Sequence, residues 1–356
     1  MSDNAKGIHE IRAEILRIAD ELGRMPKRDE FLARTQLRGT KDRIDRLFGS
    51  WSGALAAIKL DPGPKPPARD SFSRGKFKYI QPMRDGTLFQ RTAQLDLAEL
   101  FRKAGNPEFL TLVAMPDVHA KHADPWALNC FLEFIALNRI DLFLCLGDFL
   151  DAGGITHWPS DSLDPKRFIP EVLKARELRG VISSLLTKTV WRGFLEGNHE
   201  DWIRQFLVQG ANPQFFDGIE EIGYDFSTQA ILDLRKDSWE FFPLNQLLRI
   251  GQATFTHGLY TGTNHAKKHL DSVKASIFYG HNHDSKAFAD VSLHGPAIAQ
   301  SLCCLCDLNP KFLRGLLNNW EHGFGLFHFF PDGTFIHTVP KILNGRTIID
   351  GKLYRA

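Results

Sequence analysis

The 356-residue sequence predicts an α/β body preceded by a small all-α domain. Three observations carry that expectation. Apolar runs of strand length alternate with helical patterns from residue 109 onward, whereas residues 1–60 show helical spacing alone. Between them, residues 61–78, "DPGPKPPARDSFSRGKFK", combine four prolines with five basic residues and almost nothing apolar, which reads as an extended linker. The expected division is therefore a helical domain over 1–60, a Pro/basic linker over 61–80 and a body over 81–356.

In the head, Ile8, Ile11, Ile15, Leu16, Ile18 and Leu22 recur at near-helical spacing and give one amphipathic helix ending at Gly23. Pro26 and Asp29 open a second helix around "RDEFLAR"; Thr40 can cap a third, "KDRIDRLF", and Ser52 a fourth, "GALAAIKL". Short helices joined by tight Gly turns are compatible with a helix-turn-helix type of packing.

Composition sets the class. With 43% hydrophobic and 24% charged residues, a sizeable core is available. No apolar run approaches the ~20 residues that span a bilayer, and "MSDNAKGIHE" lacks the apolar stretch of a signal peptide, so a soluble, cytoplasmic protein without membrane partners is expected. The five cysteines, Cys130, Cys145, Cys303, Cys304 and Cys306, are odd in number and argue against a disulfide framework. "SLCCLCDL" reads as a buried strand with cysteine as a small hydrophobe, ahead of a soft-metal site. The net charge of +2 hides an asymmetry: residues 1–80 carry 17 basic and 11 acidic side chains, a balance of +6, leaving −4 for the remainder. The positive end could meet a polyanion.

In the body the apolar runs are "FLTLVAM" (109–115), "IDLFLCL" (140–146), "VWRGFL" (190–195), "ATFTH" (253–257), "ASIFY" (275–279) and "AIAQSLCCL" (297–305). "PWALNCFLEFIALN" and "IPEVLKARELRGVISSLLTK" supply helices between the first three. Strands this apolar are buried on both faces, and in such sheets chemistry gathers beyond the carboxyl ends of the strands.

The residues at those ends carry chemistry. They are Asp117-Val-His119, Gly147-Asp148-Phe-Leu-Asp151, Gly197-Asn198-His199-Glu200, His257-Gly258 and Gly280-His281-Asn-His283. Each end brings a nitrogen or oxygen donor. No member is specific alone: a His-x-His pair continuing a strand would point both rings to one face, which suits a metal and equally suits a solvated edge. Five in order, each after an apolar run, are hard to ascribe to chance.

This set resembles the signature of the calcineurin-like metallophosphoesterases, D-x-H, G-D-x-x-D, G-N-H-[ED], H and G-H-x-H, over roughly residues 105–345. The resemblance implies a four-layer sandwich, two facing β-sheets flanked by helices, that holds two divalent metals. It implies Asp117, His119 and His283 as ligands of the first metal, Asn198, His257 and His281 as ligands of the second, and Asp148 as a bridge. Imidazole with carboxylate suits Mn²⁺, the expected ion, with Fe, Zn or Ni as alternatives. Two cations ~3.5–4 Å apart acidify a shared water, so that a bridging hydroxide near neutral pH is the natural nucleophile on phosphorus. His199 would stabilise the phosphoryl group and protonate the leaving oxygen, with Asp151 orienting it; Asp151 could otherwise be no more than a helix N-terminal carboxylate.

Other histidines read differently. His265 and His269 share a helix face among basic neighbours and are expected on a solvated surface, although they could line the cleft. His122 and His157 lie near ligand blocks and could touch substrate; His9, His294, His322, His328 and His337 read as structural.

The motifs fix a chemistry without fixing a substrate. Phosphoprotein phosphatases similar to calcineurin place phosphate-binding arginines where this chain has Ala152 and Glu196, and purple acid phosphatases place a tyrosine at the position of Ala152. Both branches lose ground. Residues 23–60 resemble the homing-endonuclease-associated repeat through Gly23, Pro26, Phe31, Phe48, Gly49, Ser50, Trp51, Ala54 and Leu55, and such repeats accompany nucleases in phage- or mobile-element-like proteins. Arg38, Lys41, Arg43 and Arg46 surround one short helix, where they can reach DNA phosphates, with Asp42 and Asp45 between them. The expectation is a dimetal phosphodiesterase of nucleic acid, tethered to DNA by its head. The rivals are a phosphatase of small phosphomonoesters or nucleotides, and a DNA-binding regulatory protein with a vestigial site.

Overall fold

The computed structural model describes residues 10–11, 13–15, 17–18, 21–22, 26–37, 39–48, 51, 54, 92–153, 155, 168–210, 225–293, 295–313 and 315–356. Two compact units are distinguished, Met1–Tyr79 and Ile80–Ala356. The expected linker, Arg38, His9, His157, His294 and the Ser52 cap lie outside the described residues.

In the first unit, helical residues between 10 and 22 pack with helix α1 (Arg28–Arg34) and helix α2 (Thr40–Phe48). Ile11, Ile15 and Ile18 fall on one face by their spacing of four and three, and they close a core with Phe31, Ile44 and Ala54. The Glu30 carboxylate accepts the Lys27 N–H (2.8 Å) and so satisfies a free donor at the start of α1. Thr40 does not cap α2. Its hydroxyl donates to the Leu37 carbonyl instead, and Gly39, at φ +63°, makes the turn.

The second unit holds two six-stranded mixed sheets. One sheet contains β2 (Leu110–Met115), β3 (Leu142–Cys145), β4 (Trp191–Leu195) and β5 (Glu240–Phe242) in parallel, extended antiparallel by β11 (Gly325–Phe329) and β12 (Phe335–Thr338). The other runs β1 (Thr92–Gln94), β6 (Leu247–Ile250), β7 (Ala253–Thr256), β8 (Ile277–Tyr279), β10 (Gly295–Ser301), β9 (Ala287–Ser292). Alternation along β2 decides the layering. Leu110, Leu112 and Ala114 point into a core shared with Leu248, Phe255 and Phe278 of the facing sheet. Val113 and Met115 point the other way, into a core with Phe131 and Phe134 of α4 (Pro125–Leu137) and Ala175 and Ile182 of α5 (Phe168–Leu185). On the far face of the second sheet, Ile277 and Tyr279 meet Leu270 of α8 (His265–Val273). Helix, sheet, sheet and helix give the four layers expected; the other described α-helices of this unit are α3 (Leu97–Lys103), α6 (Asn198–Gly210) and α7 (Thr228–Ile231). A hairpin, β13 (Arg346–Ile349) and β14 (Lys352–Arg355), closes over α4, with the Tyr354 hydroxyl donating to Asn138 (3.0 Å).

Three further sequence expectations need correction. The run at 297–305 is not one strand: β10 ends at Ser301, and Cys303 takes φ +68°, so the cysteines are buried in an irregular segment beyond it. His265 and His269 are 1% and 0% exposed, because their shared face of α8 is the face turned to the sheet. There His265 bonds the Tyr279 hydroxyl (2.8 Å) and Asp284 (3.1 Å), and His269 accepts the Leu259 N–H (2.8 Å). Finally, β8 stops at Tyr279, so His281 and His283 are not strand residues with parallel rings. Both take left-handed backbone, φ +66° and +59°.

Candidate dimetal site

The five chemistry-bearing segments follow β2, β3, β4, β7 and β8 and converge at the carboxyl ends of both sheets. Four of the residues there, His119, Asp148, His281 and His283, have φ between +40° and +66°. Left-handed backbone at a non-glycine residue costs about 1–3 kcal/mol and persists where the surroundings over-determine it. Here it turns side chains off the strand axes into one space.

Two glycines make the convergence possible. Gly147 (φ +93°) lies back to back with Gly197, and a Cβ on Gly147 would sit 2.5 Å from the Gly197 nitrogen. A Cβ on Gly197 would in turn strike the Asp148 backbone. Gly197→Ala should therefore push the two loops apart, lowering the thermal midpoint by the equivalent of about 1–3 kcal/mol and removing metal-dependent activity. An unchanged midpoint with full activity would refute this packing.

The donors, buried or half-buried, fall into two groups joined at Asp148. In the first, Asp117, His119, Asp148 and His283 bring ligand atoms within 4.8 Å of one another. His119 Nε2 lies 3.4 Å from His283 Nε2, and His283 Nε2 lies 3.4 Å from Asp117 Oδ1. In the second, His257 Nε2 is 3.3 Å from Asp148 Oδ2, 2.9 Å from Asn198 Oδ1 and 3.2 Å from His281 Nδ1. Main-chain partners fix the orientations. His257 Nδ1 donates to the Leu146 carbonyl (2.8 Å), which turns Nε2 inward. The His281 N–H donates to both Asp117 oxygens, and the His199 N–H donates to Asp148 Oδ1 (3.0 Å).

His199 stands beside both groups. Its Nδ1 donates to the main-chain carbonyl of Asp151 (2.6 Å), its Nε2 lies 3.7 Å from Asp148 Oδ2, and the Trp202 ring lies tilted against its ring with centroids 3.9 Å apart. The Asp151 carboxylate is nearer to His122 (3.4 Å) and His119 Nδ1 (3.5 Å) than to His199 (3.9 Å). Asp151 thus meets His199 through its carbonyl and His119 through its side chain.

The electrostatics suit a cation. Asp117 and Asp148 are 0% and 1% exposed, and burial alone would raise both; histidines instead hold both below the usual carboxylate range, His283 in front of Asp117 and His199 and His257 around Asp148. Burial opposes protonation of His257 and His119, yet Asp148 lifts the first to about 10 and Asp151 and Asp148 lift the second to about 9. His281 moves the other way, pushed down to about 4 by burial and by His257. Positive charge is demanded between the carboxylates, while adjacent imidazoles cannot all carry it. Two divalent cations with nitrogen and oxygen ligands match that donor set.

Several contributors had no role assigned to them from the sequence. Glu200, 0% exposed, accepts N–H bonds from Asp148 (2.9 Å), Leu150 (2.7 Å) and Gly197 (3.0 Å), tying the loops after β3 and β4 together. Burial and the neighbouring Asp148 push its carboxyl up to about 8. Trp320 packs on His283 at 4.2 Å, and Cys306 Sγ lies 3.7 Å from His283 Nδ1. The departures from the phosphatase patterns also have a place: Ala152 is fully buried at φ +51°, and Glu196 turns away to Thr228 (2.7 Å) and the Leu244 N–H (3.0 Å).

A two-sheet sandwich with carboxylates and imidazoles gathered at its strand ends defines a metal-dependent phosphoesterase class. Residues 110–305 match the model of the calcineurin-like phosphoesterases, and the chain belongs to that family. Residues 9–61 match the model of the homing endonuclease associated repeat. Among solved structures, vacuolar protein sorting 29 of Cryptosporidium parvum is similar at 13% identity over 70% of this chain and 97% of that one, with a TM-score of 0.36. A single mutant of its counterpart from Entamoeba histolytica is similar at 12% identity over 69% and 98%, with a TM-score of 0.34. The nuclease MPE of Pseudomonas putida is similar at 13% identity over 64% and 86%, with a TM-score of 0.28. No curated protein matches the chain. Among the described residues, no helix is long and apolar enough to cross a membrane.

Proposed function

We propose that this chain is a dimetal phosphodiesterase acting on nucleic acid, with DNA as the substrate held by the N-terminal unit. The observation that carries the reading is the joining of two donor groups at Asp148, with the imidazole of His199 beside it. Asp117, His119 and His283 would hold one cation, Asn198, His257 and His281 the other, and Asp148 both. Two divalent cations, Mn²⁺ foremost, would supply the acidity that makes a water nucleophilic near neutral pH and would offset the phosphoryl charge. His199, with Nδ1–H tied to a carbonyl, turns Nε2 to the site, and in its imidazolium form it would pass the Nε2 proton to the oxygen that departs as the P–O bond breaks.

The homing endonuclease associated repeat at residues 9–61 supports nucleic acid over a small phosphomonoester. On α2, Lys41 and Arg46 are exposed and can reach phosphates, whereas Arg43 is drawn to Glu10 (2.6 Å). The double variant Lys41→Ala/Arg46→Ala should weaken DNA binding and reduce the salt slope of log K by about 2, while a small phosphodiester is hydrolysed as before. An unchanged slope would remove these residues from the interface.

The assay that tests the function presents the purified chain, with Mn²⁺, with labelled single- and double-stranded DNA, a generic phosphodiester and a phosphomonoester. A chain lacking residues 1–78 and His199→Ala run alongside. The reading expects DNA and diester cleavage, with the truncation harming DNA alone. Hydrolysis of the monoester only would leave the small-molecule phosphatase, and no turnover of any ester would favour the vestigial site.

A further inference from the structure

We infer that Glu171, in the first turns of α5, is a positioning residue for His199, acting through the turn at Asp151 and Ala152. The inference rests on the role proposed above for His199. Glu171 is 3% exposed, and its Oε1 accepts two main-chain N–H bonds, from Asp151 (2.7 Å) and Ala152 (2.6 Å), twenty and nineteen residues earlier in the chain. An acid early in a helix usually serves that helix's own free N–H groups. This one serves another segment.

The contact sits where the turn needs it. Ala152 takes φ +51°, a left-handed conformation that a non-glycine residue holds only when its surroundings enforce it. Two N–H bonds converging on one buried oxygen are such an enforcement. The carbonyl of the same Asp151 accepts His199 Nδ1–H at 2.6 Å, and since a carbonyl can only accept, it fixes the tautomer that leaves Nε2 facing the site. The Asp151 carboxylate, on the same turn, reaches His119 and His122. Moving the turn would therefore release the His199 ring. Burial pushes the Glu171 carboxyl above its ordinary range, and the Ala152 N–H acts against that rise. Among the described residues the second oxygen, Oε2, has no hydrogen-bond partner. The geometry asks for one acceptor oxygen at this place, which a side-chain amide can supply as a carboxylate does, and an apolar side chain cannot.

That distinction gives the test. In the full-length chain, Glu171→Gln keeps an oxygen acceptor at the same place, whereas Glu171→Met keeps the volume and removes it. Two phosphodiesters are compared, one losing p-nitrophenolate, which departs without a proton, and one losing phenolate, which needs it. Glu171→Met should lower kcat on the phenyl ester by about 10–100-fold with KM nearly constant, and lower it far less on the nitrophenyl ester. Glu171→Gln should stay within about threefold of the parent on both, well short of that loss. Independently of turnover, ¹⁵N-histidine spectra should show the His199 Nδ1–H tautomer in the parent and the Gln variant, and its loss in the Met variant. A Met variant that keeps the tautomer, a Gln variant as impaired as Met, or equal losses on both esters would overturn the inference. If the parent hydrolyses neither ester, the phosphodiesterase reading fails, and the spectra still decide the role of Glu171.

Discussion

Asp148→Asn is expected to lower phosphodiester turnover by about a thousandfold or more. Asp148 is the only residue common to both donor groups, with Oδ2 3.3 Å from His257 Nε2 and 3.9 Å from His119 Nε2. Losing one carboxylate from a bridging position forfeits several kcal/mol of cation binding and charge stabilisation, and each 1.36 kcal/mol is tenfold in rate. Asparagine retains an oxygen to accept the His199 N–H, now at 3.0 Å, so the loop should survive. The loss is then read as missing metal: the bound Mn²⁺ per chain falls, and so does the rise in thermal midpoint on adding Mn²⁺. Full activity with unchanged metal content would show that the two groups are not joined functionally at this residue.

His199→Ala should separate chemistry from metal binding. The expected loss is about 10²–10⁴ in kcat on an ester with a poor leaving group, and markedly less where the leaving group departs without a proton. Metal content should stay at the parent value, because the neighbouring Asn198 reaches His257 through its own side chain (2.9 Å). Equal losses on both kinds of ester would deny His199 the role of proton donor. A fall in metal content would instead make it part of the cation shell.

Much of the fold was legible in the residues. The apolar runs at 109–115, 140–146 and 190–195 stand as three neighbouring parallel strands, because doubly buried strands must be apolar throughout. The strand Gly325–Phe329 lies inside the same sheet and is absent from the apolar runs read as strands above. The turn residues Pro331-Asp332-Gly333 directly after it were the available signal, since they mark a hairpin.

The candidate site was legible where side chains alone carry the chemistry, and illegible where backbone does. Asp117, His119, Asp148, Asn198, His257, His281 and His283 were named from motif blocks, and the fold gathers all seven. Their approach depends on left-handed backbone, which periodicity cannot reveal; hence the misjudged projection of His281 and His283. Glu171 and Glu200 act by accepting main-chain N–H groups. Glu200 stands in the G-N-H-[ED] block, which marks its place without its bracing role, and Glu171 in sequence is indistinguishable from an acid on a solvated helix face. His265 and His269 failed for the related reason that basic neighbours do not say which face of a helix is turned inward.

The most direct measurement of the central claim is anomalous diffraction at the manganese edge from crystals of the full chain equilibrated with Mn²⁺. Two peaks about 3.5–4 Å apart are expected. One should be bounded by Asp117, His119 and His283, the other by Asn198, His257 and His281, with Asp148 between them. A single peak, peaks outside these side chains, or none at saturating Mn²⁺ would contradict the dimetal site on which the proposed phosphodiesterase rests.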